Sequence, residues 1–300
     1  MDHPPPQLSI PFPEAGGSMP NTGVAQALDR IRQRQEQAAI AAGMPVPSNG
    51  KPLPNDVLRS ALFGVSEKAF RREEKIASVE GLNVYVVRGY RPTQAHLDVW
   101  EHCLALAARH GTGKQIRFSA YSFLKAIGRT TGKSDYEWLK EAINDLAGCL
   151  VRISNGRHSY FGALIQEGFR DEATNEYVIK VNERLALLFM GGNWTALNGE
   201  QRKMLRKRPL AQWLHAFYST HAKPHPYKVE TIRQLCGSEV SELKKFRQML
   251  RRALKELASV TGWSCSIDEN DCVVIKREQA PCQIGYRDSG YGQNGRVIHR

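Results

Sequence analysis

Proline is scarce wherever this chain would have to pack: ten of its fifteen prolines fall within residues 1–55. Proline removes a backbone donor and interrupts helices and sheets, so residues 1–55 are expected to be a largely disordered arm. Cysteine patterning is missing too. The six cysteines (Cys103, Cys149, Cys236, Cys265, Cys272 and Cys282) form no Cys-x-x-Cys pair, which excludes the usual zinc spacings and fits reduced thiols in a bacterial-type cytoplasm. No apolar run approaches the roughly 20 residues of a membrane span, and no signal peptide is expected.

Catalytic patterns are absent as well. Gly113-Lys114 lacks the partners of a phosphate loop, since Ala108 stands where the first glycine is needed and Gln115 where Ser or Thr is. Gly290 to Gly295 spell G-x-G-x-x-G, but only five residues follow and no helix can receive a pyrophosphate. His221 and His225 are separated by Pro224 and so cannot share a helical metal face. With no carboxylate pair or triad either, no enzymatic activity, cofactor or metal is expected.

What the chain does have is positive charge in one place. Lys and Arg number 42 against 30 acids, and residues 199–260 alone hold 14 basic and 5 acidic residues. Within them, Leu243, Phe246, Leu250, Ala253, Leu254 and Leu257 recur at helical spacing and define a buried face. Lys244, Lys245, Gln248, Arg251, Arg252 and Lys255 fall opposite, and Glu242 and Glu256, at the two ends, are the only acids. An idle solvated face would mix signs. After a helix at 229–236 and the Gly237-Ser238 turn, this pattern describes the reading helix of a helix-turn-helix. Base readout would fall to Arg247, Gln248, Arg251 or Arg252, and Lys244, Lys245 and Lys255 suit phosphates. The run Arg202, Lys203, Arg206, Lys207 and Arg208 is expected to track the backbone.

A coarse reading gives one supersecondary plan twice. In residues 56–182, a strand at Leu82–Arg88 precedes a helix after Thr93, a short strand, helices after Ser119 and at 135–148, and a hairpin turning at Asn155-Gly156. In residues 183–277, helices at 210–221, 229–236 and 240–259 lead to a hairpin around Asp268–Asp271. The expected fold is α+β, two tandem winged-helix domains with a disordered arm and a flexible tail at 278–300. The charges are unequal. Asp135, Glu137, Glu141 and Asp145 make the first unit's helix a poor groove reader, so that unit is expected to grip DNA through its tip, Arg157 included, and to contact protein. Self-association, a monomer–dimer equilibrium, is expected through the sheet edge at Leu82–Arg88 or nearby surface.

Three stretches carry a resemblance. PNDVLRSALFGV (54–65), ALLFMGGNWTAL (186–197) and KPHPYKVETIRQLCGS (223–238) are similar to landmarks of TrfA-type plasmid replication initiators. The resemblance implies an initiator that binds repeated double-stranded sites (iterons) in a plasmid origin, helps open an AT-rich segment, and so meets single-stranded origin DNA. It also implies the host replicative helicase, a DnaA-type initiator and the sliding clamp as partners. In the arm, QLSIPF resembles short clamp-binding peptides, with Gln7 at the polar edge of a groove and Leu8, Ile10 and Phe12 in apolar pockets. The alternative reading is a winged-helix transcriptional regulator, which the fold alone allows equally.

Overall fold

A computed structural model describes residues 22–156 and 158–277 of the 300-residue chain. QLSIPF, Arg157 and the 278–300 tail lie outside the described residues. The first elements are α1 (Thr22–Ala42), β1 (Lys51–Pro54), α2 (Asn55–Leu58), β2 (Phe70–Ile76), β3 (Asn83–Tyr90) and α3 (Gln94–His110). Next come β4 (Gln115–Ser119), α4 (Ala120–Ala126), α5 (Lys133–Gly148), β5 (Leu150–Ser154), β6 (Ser159–Ala163), β7 (Glu167–Arg170) and β8 (Glu176–Lys180). After a 3-10 segment (Glu183–Gly192) follow β9 (Trp194–Leu197), α6 (Gly199–Met204), α7 (Pro209–Ser219), β10 (Tyr227–Lys228), α8 (Val229–Leu235), α9 (Leu243–Thr261), β11 (Ser264–Ile267) and β12 (Cys272–Lys276).

Local chemistry explains several boundaries. Thr93 opens α3 with a capping box in which its own N–H donates to His96 Nδ1 at 3.1 Å. Ser119 Oγ accepts from the Ser122 N–H at the start of α4, and Asn198 does the same for Glu200 and Gln201 at α6. Gly262, left-handed at φ 73°, ends α9.

Two apolar cores result. One gathers Met44, residues of β1 to β6 and β8 and of α2 to α5, and runs on through Leu185, Ala186, Leu188, Phe189 and Leu197 to Ala216 of α7; the other starts at Leu205 and closes at Ile275. The apolar ALLF stretch, expected in the second unit, packs in the first core. Packing also begins before Asp56. The expected arm ends in α1, then in β1, which pairs antiparallel with β9 and buries Leu53 completely. Pro52 and Pro54 are tolerated in β1 because this ribbon has two strands only, so one side of β1 needs no donor.

The sheets show where the two plans correspond. In the second unit the order is β10-β12-β11: the short strand before α8 pairs with the far strand of the hairpin after α9. In the first unit the same order is β4-β8-β7. Hence α4 matches α8, α5 matches α9, and the wing of the first unit is β7–β8, turning at residues 171–175. The Asn155-Gly156 hairpin expected to be that wing is an insertion. It belongs to a separate antiparallel sheet ordered β2-β3-β5-β6. There β3 is central, flanked by β2 and β5, so the Leu82–Arg88 strand offers no free edge and the edges are β2 and β6.

Candidate nucleic-acid interface

The second unit builds its exposed helix on a dry foundation. Residues Leu210 to Tyr218 of α7 are all buried, and Val229, Ile232 and Leu235 of α8 complete the bed. Onto it α9 lays Phe246, Leu250, Ala253, Leu254 and Leu257. Each Leu or Phe withdrawn from water contributes about 1.5–3 kcal/mol, so this face fixes the helix's rotation. The opposite face is then forced outward: Lys244, Lys245, Gln248, Arg251, Arg252 and Lys255 are all exposed. Among the described residues, none of these five cations stands within 4.0 Å of a carboxylate, whereas Arg247 and Arg233, on inward-turned positions, do.

Arg247 is held by the wing rather than presented to a base edge. Its Nε donates to Asp271 Oδ1 at 2.7 Å and its second nitrogen to Oδ2 at 2.8 Å. That bond holds the Asp271 carboxyl below its usual range and raises the guanidinium. Lys228 Nζ also donates to the Asn270 carbonyl at 2.6 Å, so the acidic tip is folded onto its own unit. The first unit repeats the device: Lys140 of α5 reaches Glu172 in the β7–β8 turn at 3.1 Å.

The basic run at 202–208 divides. Arg202 is 2% exposed, so its guanidinium is not open to a phosphate. Its Nε donates to Asp98 and lies 3.5 Å from Glu101, and one terminal nitrogen donates to the Gln94 carbonyl at 2.9 Å and side-chain oxygen at 3.1 Å. It is a buried tie between α6 and α3. Lys203 pairs with Glu200 at 2.8 Å, Arg206 is half-buried, and Arg208 lies 3.6 Å from Glu256. Lys207 is exposed, in a left-handed turn at φ 64°.

A seam between the units, not foreseen from the sequence, holds the helix-turn-helix turn. Gly237 O accepts from Ser66 Oγ at 3.0 Å and from Arg91 at 3.3 Å, and the Val65 N–H donates to the Cys236 carbonyl at 3.0 Å. Arg71 and Arg91 both reach Glu239, at 2.7 and 3.3 Å. Gly237 sits at φ +66° with Ala61 Cβ only 3.1 Å from where its own Cβ would be. Trp213 Nε1 donates to the Ser60 carbonyl at 3.2 Å, and Arg59 grips the Thr220 hydroxyl at 2.9 Å and its carbonyl at 2.6 Å. The PNDVLRSALFGV stretch thus supplies one side of this seam.

The acidic helix of the first unit is less free than its sequence implied. Asp145 accepts from Lys68 at 2.8 Å and His96 Nε2 at 3.2 Å, and Asp135 from Arg129 at 3.0 Å and from Thr130. Glu137 and Glu141 remain exposed. Among the described residues no group of three or more His, Cys, Asp and Glu could hold a metal ion, and no helix is long and apolar enough to cross a membrane.

A family model described as TrfA protein matches residues 23–277. The plasmid replication initiator protein TrfA of Escherichia coli is 27% identical over 234 residues, covering 75% of this chain and 61% of that protein. The chain thus spans less than two thirds of the length of that curated relative. Among solved structures, domains 2 and 3 of RctB superpose with a TM-score of 0.48 at 12% identity, over 80% of this chain and 95% of that one. The Pi initiator protein in complex with iteron DNA gives 0.47 at 11% identity, over 61% and 92%. Scores below 0.5 describe a distant likeness.

Proposed function

The chain belongs to the TrfA family, and on that premise we propose that it initiates plasmid replication by binding repeated sites in an origin through α9. The observation that carries the reading is the outward face of α9, with five cations and Gln248 exposed and no carboxylate beside the cations among the described residues. Arg251, Arg252 and Gln248 are placed to meet base edges, with Lys244, Lys245 and Lys255 on phosphates. Lys203, Arg206, Lys207 and Arg208 border the same unit and add backbone contacts. The first unit, through the seam at Gly237 and Glu239, fixes the angle at which α9 is offered.

The work that follows binding is done by others. The chain is a non-enzymatic, cytoplasmic recognition protein that brings the host helicase, a DnaA-type initiator and, through Gln7, Leu8, Ile10 and Phe12, the sliding clamp to the origin. Family membership supports this reading, as does the clamp-like QLSIPF segment.

Footprinting the protein on the plasmid that carries its gene tests the proposal. Protection of several direct repeats spaced by whole helical turns is expected. Protection of one isolated site over a promoter, with no repeats, would replace initiation by transcriptional regulation.

A further inference from the structure

Among the described residues α9 leaves one large apolar side chain exposed. Phe246, Leu250, Leu254 and Leu257 are buried, and Leu243 and Val260 are half-buried against the same core. Met249 is 44% exposed. Lys245 lies one helical turn before it, Arg252 one turn after, and Gln248 adjoins it, all three exposed. On its other side Met249 borders an open groove together with Val65, Glu67, Val240, Ser241 and Glu242. A thioether side chain left in water forgoes what its burial would contribute, so the packing of this unit does not account for Met249.

We propose that Met249 is a specificity-determining residue that receives the C5-methyl group of a thymine in the repeat. The proposal rests on α9 reading an origin duplex, and it names the base that one side chain of that helix selects. In the major groove guanine, adenine and cytosine present nitrogen and oxygen groups, and thymine adds a methyl. An apolar side chain set between two cations and a glutamine therefore has that methyl as its partner there. Phosphates belong elsewhere around the helix. At helical spacing Lys244 and Lys255 project away from the Met249 flank. On the Met249 flank itself, the carboxylates of Glu67 and Glu242 would repel a phosphate, which leaves that flank to base edges. The unbranched thioether can also follow a methyl group whose position shifts with local twist. A peptide seated in the groove would cover Met249 equally well, and removing a methyl from the DNA would then change nothing.

The test uses the full chain and a duplex carrying one footprinted repeat, with each thymine replaced in turn by deoxyuridine. That replacement keeps the base pair and removes the methyl alone. At one position or two, the parent protein is expected to lose about fourfold in affinity, as for one methyl group returned to water. A 5-bromodeoxyuridine at the same place should restore binding, because bromine fills the space of the methyl. Met249→Ala should bind the unmodified repeat about as weakly as the parent binds the uridine one, and should be indifferent to the replacement. Met249→Leu should stay sensitive to it. Since Met249 is exposed, melting should be unchanged in both variants. An equal uridine penalty in Met249→Ala and parent would overturn the contact, and so would a repeat in which no thymine matters to the parent. In either case preference for the repeat over a scrambled duplex would persist, and α9 would still be the reader. A parent protein without that preference would remove the α9 reading itself, and the Met249 contact with it.

Discussion

Arg247 on α9 and Asp271 in the tip of the wing form a two-point ion pair, with nitrogen–oxygen distances of 2.7 and 2.8 Å. The pair ties the wing to α9 and takes one arginine away from the exposed face. Asp271→Ala should release Arg247 toward a nearby phosphate. The log–log salt slope of duplex binding is then expected to steepen by about one. An unchanged slope in salt titrations would mean that Arg247 stays off the backbone even when freed.

Arg202 and Lys244 should behave oppositely although both are basic residues of the second unit. Arg202→Met leaves Asp98 and the fully buried Glu101 without their guanidinium, and burial already pushes the Glu101 carboxyl up. Removing one member of a buried charge pair costs about 3–5 kcal/mol, so the melting temperature should fall steeply. Lys244→Ala should leave melting within about 0.5 kcal/mol and lower the salt slope by about one. Calorimetry and salt titration of the two variants check both halves.

The contrast marks what the sequence could tell. The faces of α9 were legible because helical periodicity is local: Phe246, Leu250, Leu254 and Leu257 reveal their burial by spacing alone. Arg202 was not, since its partners Asp98, Glu101 and Gln94 lie about a hundred positions away and a run of cations reads as solvated. The Asn155-Gly156 turn correctly announced a hairpin. Which sheet the hairpin joins is set by the β3–β5 and β4–β8 pairings, and no local signal reports those. Strand β2, FRREEKI, has no apolar alternation and was silent. Gly237 was visible as a turn residue, but the approach of Ala61 that demands it was not.

Gly237→Ala tests that approach. A side chain at φ +66° costs about 1–2 kcal/mol, and the new methyl would press on Ala61 at 3.1 Å. A stability loss of at least that size is expected in urea unfolding. A neutral substitution would show that the seam yields to a methyl group.

Two histidines, His215 buried and His102 half-buried, contribute to the acid side of the stability curve. Burial drives the imidazoles of His102 and His215 down to about 3, and Arg202 nearby adds to the effect at His215. His215 Nε2 lies 3.1 Å from Gln201 Oε1, which suits a neutral ring donating that proton. In the unfolded chain both titrate near 6.5, so the unfolded state takes up more protons between about 6.5 and 3. Their contribution is complete above about 6.5 and declines as pH falls, by roughly 1.4 kcal/mol per unit for each ring. Melting temperatures from pH 7.5 to 4.5 should drop, and His215→Gln should flatten the drop. A slope that does not change in that variant would mean that the ring is already solvated.

The central claim is that the exposed face of α9 reads DNA. Arg251 and Arg252 are exposed and, among the described residues, within 4.0 Å of no carboxylate, so replacing both by Ala should leave melting unchanged. Quantitative binding to one cognate repeat, measured against a scrambled duplex, tests the claim most directly. The double variant is predicted to lose its preference for the repeat while keeping weak, salt-sensitive binding to both. Undiminished preference for the repeat in a folded Arg251→Ala, Arg252→Ala protein would contradict it.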